Sequence, residues 1–163
     1  MPAFHGVDHA VLTVTDLDRS EAFYWGVLGF LPMMDFGYGR ILVDRKTGFS
    51  LGIVKHEGAK GGQFTELTTG LDHLGLAAES REELVEWEEV FRAKGVEFTP
   101  IRDMELAYHL NFRDPDNIAL ELSAPNDMYK AALAALRSDI SDSEVWDAAG
   151  QFFPAEMVAR RDR

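Results

Sequence analysis

The chain has 163 residues, 46% of them hydrophobic and 27% charged, the composition of an ordinary globular protein with one domain or two small modules sharing a core. Acidic residues outnumber basic ones 28 to 16, and the net charge of −12 argues against nucleic acid or an anionic membrane as partner. There is no cysteine, hence no disulfide, thiolate metal site or cysteine nucleophile, and no apolar run of membrane-spanning length. Residues 1–8 lack the basic-then-apolar pattern of a secretory leader, so a cytoplasmic setting is expected.

Residues 7–14 read as a strand, with His9, Val11 and Thr13 on one face and Ala10, Leu12 and Val14 on the other. Asp18, with Glu21 three residues on, predicts a capped helix whose apolar face is Phe23, Val27 and Leu28 and which Gly29 stops. Short strands are expected at 31–34, 40–44 and 49–55, giving a β-α-β-β-β unit. A polar joint follows, punctuated by Gly58, Gly61, Gly62 and Gly70.

The pattern then returns. Asp72-His73 repeats Asp8-His9 at the head of a strand, and Ser80 with Glu83 repeats the capping box. Leu84, Trp87 and Phe91 form the helical face, Gly95 the stop, and strands at 96–99, 106–112 and 118–123 complete a second unit. Beyond Pro125, Asn126 or Asp127 caps a helix with Met128, Ala132, Ala135 and Leu136 on one side, and Ser141 with Glu144 caps a shorter one carrying Val145 and Trp146. Phe152, Phe153, Met157 and Val158 are too apolar for a free tail and are expected to pack on the sheet or across a subunit boundary; residues 160–163 are expected to fray.

In the second unit, Asp114-Pro115-Asp116-Asn117 is a turn between two strands. It puts Glu121 in mid-strand, facing away from Ile118, Leu120 and Leu122, where a buried carboxylate needs a partner. His9 and His73 occupy equivalent positions, and two imidazoles with one carboxylate suit Fe(II), Mn(II), Zn(II), Co(II) or Ni(II). The first unit places Gly52 where the second has Glu121, so the chain offers three ligands and not four. His109 shares a polar strand face with Asn111 and is a candidate proton shuttle; His56 and His5 read as exposed, and Tyr38 as a turn aromatic.

This duplication, with His9, His73 and Glu121, resembles the vicinal oxygen chelate superfamily of glyoxalases, extradiol dioxygenases, and fosfomycin- and bleomycin-resistance proteins. Ser20, Phe23-Tyr24 and Leu28-Gly29-Phe30 are similar to the glyoxalase I signature, and residues 112–117 resemble the family's closing hairpin, with Asn117 in place of its usual Gly. Branch-specific residues are missing: Gly52 supplies no fourth ligand, Asn111 stands where ring-cleaving dioxygenases carry a tyrosine, and no basic loop is evident for a phosphonate.

The resemblance implies an α+β fold of two βαβββ modules (5–56 and 70–125) curling a mixed sheet around a cavity. Residues 1–125 would form one domain, with 126–163 a C-terminal helical extension. The expected function is a glyoxalase-like metal-dependent enzyme, of lyase or dioxygenase type, holding vicinal oxygens of a small oxygenated metabolite. The expected metal ligands are His9, His73 and Glu121, with Glu121 and His109 catalytic. A homodimer is expected; if modules swap between chains, His9 comes from one subunit and His73 with Glu121 from the other. The alternative is a metal-free protein that sequesters a ligand, of the bleomycin-resistance type.

Overall fold

Asp16 sets the first turn of helix α1 (Leu17–Gly26): its side chain accepts from the amides of Asp18 and Arg19. The cap therefore lies two residues before the expected Asp18, because Asp18 and Glu21 are both engaged by Arg40, at 2.5 and 3.2 Å. The computed structural model describes residues 6–62, 64–134, 140–154, 156 and 158; the expectations for His5, Ala135, Leu136, Met157 and residues 160–163 fall outside these.

Strand β1 (His9–Thr13) precedes α1, and β2 (Leu31–Asp35), β3 (Gly39–Val43) and β4 (Ser50–Val54) follow. They form a four-stranded sheet in the order β1-β4-β3-β2, with β1 parallel to β4 and the rest antiparallel. The second unit repeats this with β5 (Leu74–Ala77), α2 (Arg81–Lys94), β6 (Arg102–Asp103), β7 (Ala107–Arg113) and β8 (Ala119–Pro125), in the order β5-β8-β7-β6. The architecture is α+β, two mixed sheets that do not close into one. Ser80 caps α2 through the Glu83 amide, and Gly95 ends it in the left-handed region at φ 68°. The reciprocal arm of that box goes elsewhere, since the Glu83 carboxylate accepts from the Glu79 amide.

The strand expected at 96–99 is reduced to one bridge, Phe98 to Phe112, and pairing resumes only at Arg102 opposite His109. Pro100 has no amide to donate, and Ile101 turns its N–H to Glu88 Oε1 at 3.2 Å, so the ladder is interrupted there. Helices α3 (Asp127–Ala134), capped by Asn126, and α4 (Asp142–Ala149), with a complete Ser141–Glu144 capping box, follow; α3 packs on β8.

One core runs through both units. Phe112 on β7 lies 4.6 Å, ring to ring, from Phe91 of α2 and 6.4 Å from Phe23 of α1. Buried aromatic pairs of this kind add about 0.5–1.5 kcal/mol to the burial of their surface. The hairpin between β7 and β8 locks the units further. Asp114 Oδ1 accepts from the Asp116 and Ile118 amides, and Asn117 takes φ 65°, a left-handed conformation that asparagine tolerates. From this turn Asp114 Oδ2 accepts from Tyr24 Oη at 3.0 Å, and Asp116 accepts from the Thr15 amide and from Arg19. Both contacts reach from the second unit into the first.

Candidate functional site

The Asp114–Asn117 turn sets the β7–β8 register, and that register builds the site. It pairs Asn111 with Glu121 and His109 with Ser123, while β5 pairs Gly75 with Glu121. His73, just before β5, Glu121 on β8 and His109 on β7 therefore share the sheet face turned away from the core. Glu121 is 7% exposed. Its Oε2 lies 2.5 Å from His109 Nδ1, and its Oε1 lies 3.7 Å from His73 Nε2. Oε1 extends toward Gly75, where a Cβ would stand 4.0 Å away.

His73 is itself oriented: its Nδ1 is 2.6 Å from Asp72 Oδ1, which leaves Nε2 as the free nitrogen on the Glu121 side. His9 has the same arrangement, with Nδ1 2.7 Å from Asp8 Oδ2. An imidazole held through one nitrogen by a carboxylate, with the other presented outward, is the usual support of a metal-ligating histidine. The 3.7 Å between His73 Nε2 and Glu121 Oε1 exceeds a hydrogen bond, and is close to the spacing of about 3.4 Å that two ligands of one tetrahedral ion adopt. His73 Nε2 and Glu121 Oε1 are thus two donors, of the types that divalent cations accept, at co-ligand spacing.

Of the predicted residues, His73, Glu121 and His109 come together. His9 does not join them within the chain: it stands on the other sheet, and among the described residues no three His, Asp or Glu side chains are grouped to cage a cation. His56 is exposed, and Tyr38 is exposed with its ring against Phe36. Sequence reading missed that His109 touches Glu121 and that Asp8 and Asp72 hold the two histidines. The first could have been found by counting outward from the turn, since the turn decides which residues of the hairpin sit opposite one another.

The two sheets differ at equivalent rows. In the second, the row across the open face is Gly75, Glu121 and Asn111; in the first it is Val11, Gly52, Ile41 and Met34. Val11 fills the space Gly52 leaves, with its Cγ2 3.1 Å from where a Cβ on Gly52 would sit. One face is polar and carries Glu121, the other is apolar, and Val11 is 53% exposed on it.

Beneath the site, burial holds the Asp114 carboxyl above its ordinary value against the hydrogen bonds from Ile118, Tyr24 and Asp116. Burial also raises the Tyr24 hydroxyl, helped by the charge of Asp114. A separate cavity of about 490 Å³ opens on the core side of β5, lined by Leu28, Phe30, Phe49, Leu74, Trp87 and Leu122 among others.

The glyoxalase/bleomycin resistance protein/dioxygenase superfamily profile matches residues 6–122, which takes in both units from before β1 into β8. The chain belongs to that superfamily. A glyoxylase/bleomycin resistance protein/dioxygenase domain from Frankia sp. EAN1pec is 34% identical, covering 76% of this chain and all of its own (100%), with a TM-score of 0.69. Among more distant superfamily folds is FosX, a genomically encoded fosfomycin resistance protein from Listeria monocytogenes. It is 22% identical over 81% of this chain and 99% of its own, at a TM-score of 0.63, in a structure complexed with Mn(II) and sulfate. An integron cassette protein from the Halifax Harbour sewage outfall metagenome is 23% identical over 74% of this chain and 99% of its own, at a TM-score of 0.62. No curated protein sequence matches this superfamily member. Among its described residues no helix is long and apolar enough to cross a membrane.

Proposed function

We propose that the protein is a metal-dependent enzyme of the glyoxalase type, of lyase or dioxygenase chemistry, acting on a small oxygenated metabolite in the cytoplasm. The observation that carries this reading is the Asp72–His73–Glu121–His109 line, an oriented imidazole and a buried carboxylate at co-ligand spacing on an open sheet face. His9, His73 and Glu121 are the proposed ligands of a divalent ion: Fe(II), Mn(II), Zn(II), Ni(II) or Co(II). A bound divalent ion supplies Lewis acidity toward adjacent substrate oxygens. Glu121 and His109 are the proposed proton-handling pair, in direct contact and facing the substrate side. Asn111, opposite Glu121, is a polar neighbour for a substrate oxygen.

Since His9 lies on the other sheet, the proposed site is completed by a second copy in a homodimer, one chain giving His9 and the other His73 with Glu121. The apolar row around Val11 and Ile41 would then face the polar row of the partner. The proposed domain is 1–125, built of modules 5–56 and 70–125, with 126–163 an extension of it.

Metal content tests the reading. Protein purified without chelator and incubated with each of the five ions is expected to hold about one equivalent per chain, and His73→Ala is expected to lose it. Wild type that takes up none of them sinks the proposal.

A second reading, a metal-free ligand-sequestering protein, is favoured by the 490 Å³ cavity beside Trp87, mostly apolar but with Asp44, Lys46, Thr47 and Glu83 in its lining. It predicts quenching of Trp87 fluorescence by a small aromatic ligand with no dependence on His73.

A further inference from the structure

We infer that His109, beyond its proposed part in proton handling, positions Glu121 and decides which of its oxygens is offered to the metal. The inference rests on the proposed metal reading and deepens it. A carboxylate that serves as a metal ligand is ionised and can only accept hydrogen bonds, so in that state the proton of the 2.5 Å contact between His109 Nδ1 and Glu121 Oε2 is carried by Nδ1. That bond occupies Oε2. Oε1 is left as the free oxygen, and it is the one beside His73 Nε2.

Three features of the fold reinforce this. Glu121 is almost fully buried, so water does not compete for its oxygens from the core side. Gly75, directly across from Glu121, leaves the space into which Oε1 extends. His109 stands on the strand on the other side of β8 from His73, opposite Ser123, and so approaches Glu121 from the side away from His73. The two histidines thus divide the carboxylate between them, with Oε2 to His109 and Oε1 to His73. The result is a one-oxygen ligand with a fixed direction; without His109 the carboxylate is free to rotate or to engage through both oxygens. Asp72 holds His73 in the corresponding way, so each proposed ligand of this sheet has its own orienting neighbour.

The experiment uses the full chain with Mn(II) as the probe, in isothermal titration, comparing wild type, His109→Asn, His109→Leu and Glu121→Gln, with a thermal melt on each. The amide nitrogen of asparagine lies where Nδ1 does and can donate the same bond, whereas leucine cannot. We expect His109→Asn to bind within about threefold of wild type, and His109→Leu to bind about 10–100-fold more weakly at unchanged stoichiometry. His109→Leu as tight as wild type, or His109→Asn as weak as His109→Leu, overturns the inference alone. Wild type that binds neither Mn(II) nor any other of the five ions, used as probe in its place, or Glu121→Gln that binds as wild type does, overturns the metal reading and the inference with it. Should His109→Leu fail to fold, the His109 Nδ1 proton decides. It is expected as a far-downfield, slowly exchanging NMR resonance in metal-free wild type that disappears in Glu121→Gln, and its absence from wild type overturns the inference.

Discussion

Gly75 stands directly across the β5–β8 ladder from Glu121, so the strand that follows His73 leaves room for the carboxylate beside it. Val11 holds the equivalent place in the first sheet, opposite Gly52. The two sheets put bulk and vacancy on opposite strands at the same row.

Gly75→Val tests the second half of this. Its Cβ would sit at ordinary contact distance, but its methyl groups would reach Glu121 Oε1. We expect a cost of about 1–3 kcal/mol from overpacking, together with loss of most of the Mn(II) affinity. Gly75→Ala, which adds only the Cβ, is expected to keep both. Urea unfolding and metal titration on the two variants check the claim, and equal behaviour would contradict it.

Gly52→Glu tests the first half. A side chain at Gly52 meets Val11 Cγ2 at 3.1 Å and Cγ1 at 3.3 Å, so the single variant is expected to lose about 1–3 kcal/mol. Val11→Gly should relieve the crowding. A double-mutant cycle is therefore expected to show favourable coupling of at least about 0.5 kcal/mol between the substitutions. Additive effects would mean that Val11 yields freely and is no barrier to a fourth ligand.

Much of this was legible in the sequence, and the exceptions have physical causes. The duplicated Asp-His pairs, the Ser80 cap, the Gly95 stop and the Asp114–Asn117 turn were readable because each depends on a local backbone requirement. The facing of Glu121 followed from strand periodicity, and its counterpart Gly52 from aligning the two repeats. The N-cap of α1 was misplaced because Asp16 and Asp18 are both plausible caps locally, and only the distant Arg40 draws Asp18 away. The strand at 96–99 failed because its apolar residues suit a strand while Pro100 and the Ile101–Glu88 bond break its ladder. The approach of His109 to Glu121 was within reach, by counting outward from the turn, whereas the separation of His9 from Glu121 was not, because it depends on how the two sheets are placed.

Asp114 gives a pH signature. Burial raises its folded-state value above the ordinary 3.8, so between the two values the folded chain binds more protons than the unfolded chain. Its contribution to stability is thus complete at low pH and is lost as pH rises through that window. Asparagine does not titrate. The stability advantage of wild type over Asp114→Asn, from urea unfolding at a series of pH values, is expected to be largest below 3.8 and to shrink as pH rises. An advantage that grows with pH would show that the hydrogen bonds from Ile118 and Tyr24 outweigh burial.

Assembly can be tested by mixing. If His9 comes from one chain and His73 from its partner, His9→Ala and His73→Ala are each expected to bind no Mn(II) tightly. Unfolded together and refolded as an equimolar mixture, they should regain about a quarter of the sites, because half the dimers are mixed and each mixed dimer has one intact site. No recovery, with dimers confirmed by sedimentation, would place His9 and His73 in separate roles.

The interruption at Pro100 has a counterpart in β2, where Pro32 lacks an amide and the register shifts before Met34. Each sheet therefore has an outer margin that is a poor template for another strand, which discourages uncontrolled fibrous stacking. The margins without such a defect are β1 and β5, the strands that begin with His9 and follow His73. Should strands of two molecules pair in the proposed dimer, β1 and β5 are the regular sheet edges left for it, and both lie at the proposed histidine ligands.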